Sequence, residues 1–329
     1  MLHRGFTTVR DTGGSNNSLR SAIAENLVPG PRLFIAGKAL SQTGGHADLR
    51  ASHEGAQFKC CDSSTPGFGR VCDGVPACLE AARDELRQGA NFLKVMCGGG
   101  VVSPSDPLQM VQFTASELQA ITSTASSIGT YVTAHAYTDS AVRHAVTNGC
   151  KGIEHGNFVS RATAEWLRCE HADVIITPTL ATYRAMSLPE NRSMFSPDAQ
   201  RKNDQVLVSG LDSIRLFHDL GITMGFGTDL LAHMHELQNT EFEIRGSVLP
   251  ASEVLKHATI NGAKVLGMDG KLGIIKEGAF ADLLVLEQNP LCNVDVLAEG
   301  GDNLSAILKE GRVVMSQLQS LDIDAIYAR

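Results

Sequence analysis

The sequence has no apolar run approaching the ~18 residues of a membrane span. It has no basic excess either. Lys and Arg number 28 against 36 Asp and Glu, and the net charge of −8 leaves no electrostatic footprint for nucleic acid. Paired C-x-x-C spacing is absent. The cysteines are Cys60, Cys61, Cys72, Cys78, Cys97, Cys150, Cys169 and Cys292, and the adjacent pair Cys60-Cys61 is not a zinc motif. Scattered thiols fit a reducing compartment, so a cytoplasmic location is expected. Residues 1–20 carry polar and charged side chains throughout and show no signal-peptide pattern. No internal repeat and no low-complexity tract occurs. What is present is 329 residues, 43% of them hydrophobic, enough for a large core. One α/β barrel of ~250 residues with a smaller module fits that length.

The stretch from Asn91 to Asn157 organises the rest. Three buried-strand patterns in it each carry a polar residue at or near the carboxyl end: Asn91 to Met96 before Gly98-Gly99-Gly100, Tyr131 to His135, and Gly152 to Gly156. Helical patterns separate them, and such alternation predicts a parallel sheet whose strands share one carboxyl rim. Gly5 to Asp11, Arg32 to Gly37, Val174 to Thr179 and Thr223 to Asp229 read as further strands. Ser18 to Asn26, Asp73 to Gly89 and Asp198 to Leu220 read as helices, and Thr114-Ala115-Ser116-Glu117 as a capping box opening another. Residues 50–76 read as an irregular loop, and Thr182 to Pro197 as a polar excursion. From Gly267 the pattern changes to short strands and tight turns, with a helix or tail after residue 316.

Lys94, His135 and His155 at strand ends, with Asp229 at another, suggest metal chemistry. Neutral imidazole and carboxylate suit zinc, manganese or iron. Lysine is the odd member, since at pH 7 only ~0.04% of a free amine is neutral. Burial and nearby cations lower its pKa, and the neutral amine can then react with carbon dioxide to give a carbamate, a carboxylate on a long arm. A nucleotide-dependent oxidoreductase is disfavoured, because Gly98-Gly99-Gly100 lacks the dinucleotide spacing and its acidic partner.

In this order the segments resemble the amidohydrolase superfamily, in its carboxylated-lysine branch (imidazolonepropionase-like, Xaa-Pro dipeptidase-like and ochratoxin-hydrolase-like proteins). The resemblance is carried by Gly5 to Gly14, Gly44-Gly45-His46-Ala47-Asp48, Phe92 to Met96 with Ser103-Pro104-Ser105-Asp106-Pro107, Ala134 to Tyr137, Ile153 to Gly156, Gly227 to Asp229 and Gly278 to Leu283. It implies an α/β fold of the (β/α)8 TIM type, a metallo-dependent hydrolase barrel over residues 1–268. A small C-terminal β-sandwich remnant plus tail is expected over residues 269–329. It implies a divalent metal, zinc first, as one or two ions. Carboxylated Lys94 would bridge, His135 and His155 would hold one ion, and Asp229 would bind the other and shuttle the proton. His46 and Tyr137 would contact a small amide or dipeptide substrate. The reaction would be hydrolysis of a C–N bond by a metal-activated water; a catalytically impaired relative keeping only a pocket is the alternative.

One departure stands out. The family's first strand carries His-x-His, and nothing before Gly5 supplies it, His3 being single. His233-Met234-His235 has the local spacing of a substitute. The expectation is therefore a barrel without its first strand. It would hold at most about one ion, with the strands near Phe6 to Arg10 and Met224 to Gly227 facing a gap through which chains would aggregate or form a homo-oligomer.

Overall fold

The structure, a computed structural model, describes residues 1–50, 53 and 67–328. Cys60, Cys61 and most of the expected irregular loop lie outside the described residues. In chain order the strands are β1 (Thr8–Asp11), β2 (Arg32–Ile35), β3 (Ala39–Ser41), β4 (Gly69–Val71), β5 (Leu93–Met96), β6 (Val132–Thr138), β7 (Gly152–Phe158), β8 (Ile175–Thr177), β9 (Leu283–Leu286), β10 (Leu304–Lys309) and β11 (Arg312–Ser316). An all-parallel six-stranded sheet runs β4-β3-β5-β6-β7-β8, β1 pairs in parallel with β2, and β11-β10-β9 form an antiparallel sheet. Asn91 couples the first two sheets: its N–H donates to the Ile35 carbonyl (2.7 Å) and its side chain accepts from the Ile35 N–H (3.0 Å).

The central strands have the composition of a sheet covered on both faces. Every residue of β5 and β6 is buried, and all of β7 but Phe158. Helices supply the cover: Val75–Arg87, Ala115–Ser127, Asp139–Thr147, Arg161–Glu170 and Pro197–Asp219. The capping box forms, with the Thr114 side chain accepting from the Glu117 N–H and the Glu117 carboxylate accepting from the Thr114 N–H.

The sequence reading departs from the structure in several places. β1 begins at Thr8 rather than Gly5, and the short strands β3 and β4 were not anticipated. The excursion expected over Thr182 to Pro197 is mostly helical, Ala181–Ser187 and Pro189–Arg192, with Pro189 at a helix start where its missing N–H costs nothing. The strand expected over Thr223 to Asp229 makes only a single bridge, Met224 to Ile176.

Two features account for that last segment. Gly225 and Gly227 press against β8 and the residues after it. A Cβ on Gly227 would sit 2.7 Å from Thr177 Cγ2, and one on Gly225 would sit 2.9 Å from Thr177 Oγ1. Ladder hydrogen bonds stop at Gly225 N–H to the Ile176 carbonyl (2.8 Å). Beyond it a side chain takes over. Arg245, with no exposure at all, donates to the carbonyls of Gly225 (2.7 Å) and Pro178 (2.5 Å) and to Glu241 Oε1 (2.7 Å), while its guanidinium lies 4.8 Å from the Phe226 ring centre. Glu241 Oε2 in turn accepts from the N–H groups of Leu180 (2.9 Å) and Ala181 (2.6 Å).

Aromatic side chains near the expected gap pack together. Phe6 lies 6.3 Å from both Phe226 and Phe242, and those two rings are 4.4 Å apart. No described helix is long and apolar enough to cross a membrane.

Arg245→Leu should lower unfolding stability by about 3–5 kcal/mol, because it strands the Glu241 carboxylate and two carbonyls away from water. Denaturant titration reads this directly, and a loss below ~1 kcal/mol would mean that the guanidinium is not what holds the segment.

Candidate functional site

Three adjacent strands carry the site. Lys94 pairs in register with Thr133, Met96 with His135, and Ala136 with His155. Lys94, His135 and His155 are all buried. The His135 and His155 rings meet edge to face at 4.6 Å, and His46 stacks on His135 at 4.2 Å. Tyr137 packs against both strand-end histidines, 4.8 Å from His135 and 5.1 Å from His155. Asp229 joins them electrostatically: its carboxylate acts on the Lys94 amine and is acted on by Lys94 and His46.

Alternation along a strand should turn Glu154 and His155 to opposite faces. Both nevertheless point inward. His155 takes a left-handed backbone with φ 77, and Gly156 follows with φ 73. Glu154 reaches down to Arg10 (2.6 and 2.8 Å) and Thr133 Oγ1 (2.5 Å), while His155 turns toward His135. Asp229 is likewise left-handed, with φ 51.

Hydrogen bonds settle which ring nitrogens are free. A carbonyl can only accept, so His135 Nε2–H donates to the Gly99 carbonyl (3.1 Å) and Nδ1 is bare. His155 Nδ1 lies 2.7 Å from Thr179 Oγ1 and 3.1 Å from the Tyr183 hydroxyl, which leaves Nε2 without a hydrogen-bond partner among the described residues. Tyr183 also bonds the Tyr137 hydroxyl (2.9 Å). Burial holds both imidazoles well below their usual pKa, assisted for His135 by His46 and His155 and for His155 by Lys94. Each is therefore a neutral ring; His135 offers its lone pair at Nδ1, and His155 offers one at Nε2 when its Nδ1–H donates to a hydroxyl, which is what a metal ligand needs.

Burial also lowers the Lys94 amine, against the opposing pull of Glu154 and Asp229. The Asp229 carboxyl is pushed up to about 6, burial outweighing the stabilising charges of Lys94 and His46. Asp229 keeps exposed surface even so.

His46 stands on the loop after β3. Its ring is held between His135 and the backbone of Gly100, where a Cβ would fall 1.8 Å from Cε1 and 1.9 Å from Nδ1. Among the described residues no three His, Cys, Asp or Glu side chains form an ion-holding group. His233 and His235 do not enter. They lie on a 3₁₀ turn, Ala232–Leu237, where alternate residues do not share a face, and His233 bonds Asn191 Oδ1 (2.9 Å).

Thr179, Tyr183, Glu154 and Arg10 were not foreseen. Thr179 follows β8 at the height of the other strand ends, and that position was its one sequence signal.

Gly100→Ala should drive the His46 ring out of its slot. A cost of ~1–3 kcal/mol is expected from overpacking a closed contact. A thermal melt unchanged from wild type would show that the ring is free to move aside.

Residues 1–314 match the family model described as the amidohydrolase family. Ochratoxinase of Aspergillus niger is 30% identical over 307 residues, covering 91% of this chain and 63% of its own length, so the chain spans less than two thirds of that relative. The crystal structure of a prolidase complexed with N-methylphosphonate-L-proline superposes with a TM-score of 0.93 at 42% identity, covering 96% of this chain and 77% of that one. A Xaa-Pro dipeptidase with bound methionine in its active site gives 0.81 at 31% identity, covering 95% and 76%. Such neighbours place the parallel strands in a metallo-dependent hydrolase fold of the TIM-barrel type. The chain belongs to the amidohydrolase family.

Proposed function

We propose that the chain hydrolyses a carbon–nitrogen amide bond of a small molecule or dipeptide, with a divalent metal, zinc first, as cofactor. The observation that carries this is a pair of ring nitrogens without hydrogen-bond partners among the described residues, His135 Nδ1 and His155 Nε2, on neighbouring strands beside a buried lysine. The donor set fits such an ion: His135 and His155 would hold it as neutral imidazoles, and Lys94 as a carbamate, with Asp229, would supply carboxylate oxygen. A divalent ion bound there supplies Lewis acidity and lowers the pKa of water.

The chain's own groups do the rest. Thr179 and Tyr183 fix the His155 ring by its Nδ1, and Gly99 fixes His135 by its Nε2–H. Asp229, with a carboxyl near 6, is suited to take a proton from water and to return it to the leaving amine. The Tyr137 hydroxyl, kept protonated by burial, can donate to the scissile carbonyl. The ochratoxinase, prolidase and dipeptidase neighbours support an amide or dipeptide substrate.

A second reading is a relative that keeps the pocket without turnover; among the described residues no three His, Cys, Asp or Glu side chains form an ion-holding group. Elemental analysis after desalting, with assays on N-acyl amino acids and Xaa-Pro dipeptides, separates the two. Under the hydrolase reading about one ion is retained, and Asp229→Asn lowers kcat by ~10²-fold or more through loss of the general base. Reconstitution without bicarbonate or carbon dioxide should also reduce ion uptake. Protein that takes up no divalent ion and turns over no substrate on the panel would leave only the pocket.

A further inference from the structure

His46 is held by more than packing. Its Nδ1 lies 2.7 Å from Ser103 Oγ and 3.5 Å from Asp106 Oδ2. Ser103 Oγ donates to Asp106 Oδ1, while Asp106 Oδ2 accepts from the Gly100 N–H (2.9 Å) and Gln112 Nε2 (3.2 Å). Gln112 returns to the same loop, since its Oε1 accepts from the His46 backbone N–H (3.0 Å). The buried Lys202 clamps the segment from outside, donating to the carbonyls of Asp106 (2.8 Å) and Ser103 (3.2 Å). All of Ser103, Asp106 and Gln112 are at most 2% exposed.

Proton counting along this chain has one solution. Burial would raise the Asp106 carboxyl, but His46, the Ser103 hydroxyl and the Gly100 N–H outweigh it and hold the group below its usual range. An ionised carboxylate only accepts, so the single Ser103 proton goes to Asp106. Ser103 Oγ must then accept from His46, and His46 Nδ1 carries hydrogen. Nε2 is the nitrogen left free, with no partner among the described residues.

We propose that Asp106 is a positioning residue for His46, acting through Ser103, and that it decides which nitrogen His46 presents to the substrate. The proposal rests on the hydrolase reading for its consequence, but not for its geometry. Asp106→Asn makes the opposite prediction inevitable. The carboxamide oxygen is claimed by the Gly100 and Gln112 donors, so its NH₂ faces Ser103. Ser103 must then turn its hydroxyl proton to His46 Nδ1, and the ring hydrogen moves to Nε2.

The test is imidazole nitrogen NMR on the metal-free, ¹⁵N-histidine-labelled 329-residue chain, with His46 assigned by loss of its signals in His46→Gln. The expected result is the Nδ1–H tautomer in the wild type, the Nε2–H tautomer in Asp106→Asn, and the wild-type tautomer kept in Ser103→Thr but not in Ser103→Ala. With the enzyme loaded, Asp106→Asn should lower kcat/KM about 10- to 100-fold, as loss of an orienting partner does. The Nε2–H tautomer in the wild type, or an unchanged tautomer in a folded Asp106→Asn protein, would overturn the proposal. Absence of any amide turnover would instead overturn the hydrolase reading and leave the NMR result standing.

Discussion

An amine buried in the middle of a parallel sheet is the constraint on which the rest depends. Lys94 is 4% exposed. Moving an ammonium out of water costs several kcal/mol unless a partner answers it. The anion that acts on it most strongly, Glu154, is already held by Arg10 at 2.6 and 2.8 Å and by the Thr133 hydroxyl. Arg10 keeps its charge in any environment, whereas an amine can lose its proton. Around Glu154 the structure therefore sets one permanent cation, which claims the carboxylate, beside one that can discharge. That inequality makes Lys94, rather than Arg10, the group open to chemistry.

Much of this arrangement was legible because it follows a simple repeat. Lys94, His135 and His155 close apolar runs separated by helical stretches, and in a parallel sheet such ends lie on one rim. The capping box at Thr114 was readable for an equally local reason. Asp229 was legible as a residue but not as a strand end. Its segment is set by what two glycines allow and by Arg245, nearly one full helix further along the chain. A partner at that separation leaves no periodic trace. The same limit hid Tyr183, whose role arises from a helix over residues 181–187 that the nearby prolines disguised as a loop.

The loop after β5 illustrates a third kind of information. Ser103 and Asp106 stood out as part of a motif, yet nothing in their spacing says that a histidine 57 residues earlier would bond the serine. Only the tertiary fold places them together, and Gly100 must lack a side chain for the ring to fit. Hydrogen-bond direction then follows from elementary valence, without reference to any ligand.

The two left-handed residues carry a further consequence. His155 (φ 77) and Asp229 (φ 51) occupy backbone conformations that cost a non-glycine residue ~1–3 kcal/mol. Glycine or asparagine would relieve that strain at either position. Selection for thermal robustness alone would thus push both sites toward residues that cannot do their present work. Persistence of histidine and aspartate there, in a library screened only for heat resistance, would have to come from something other than folding, and sequencing such survivors would separate the demands of the fold from the demands of the site.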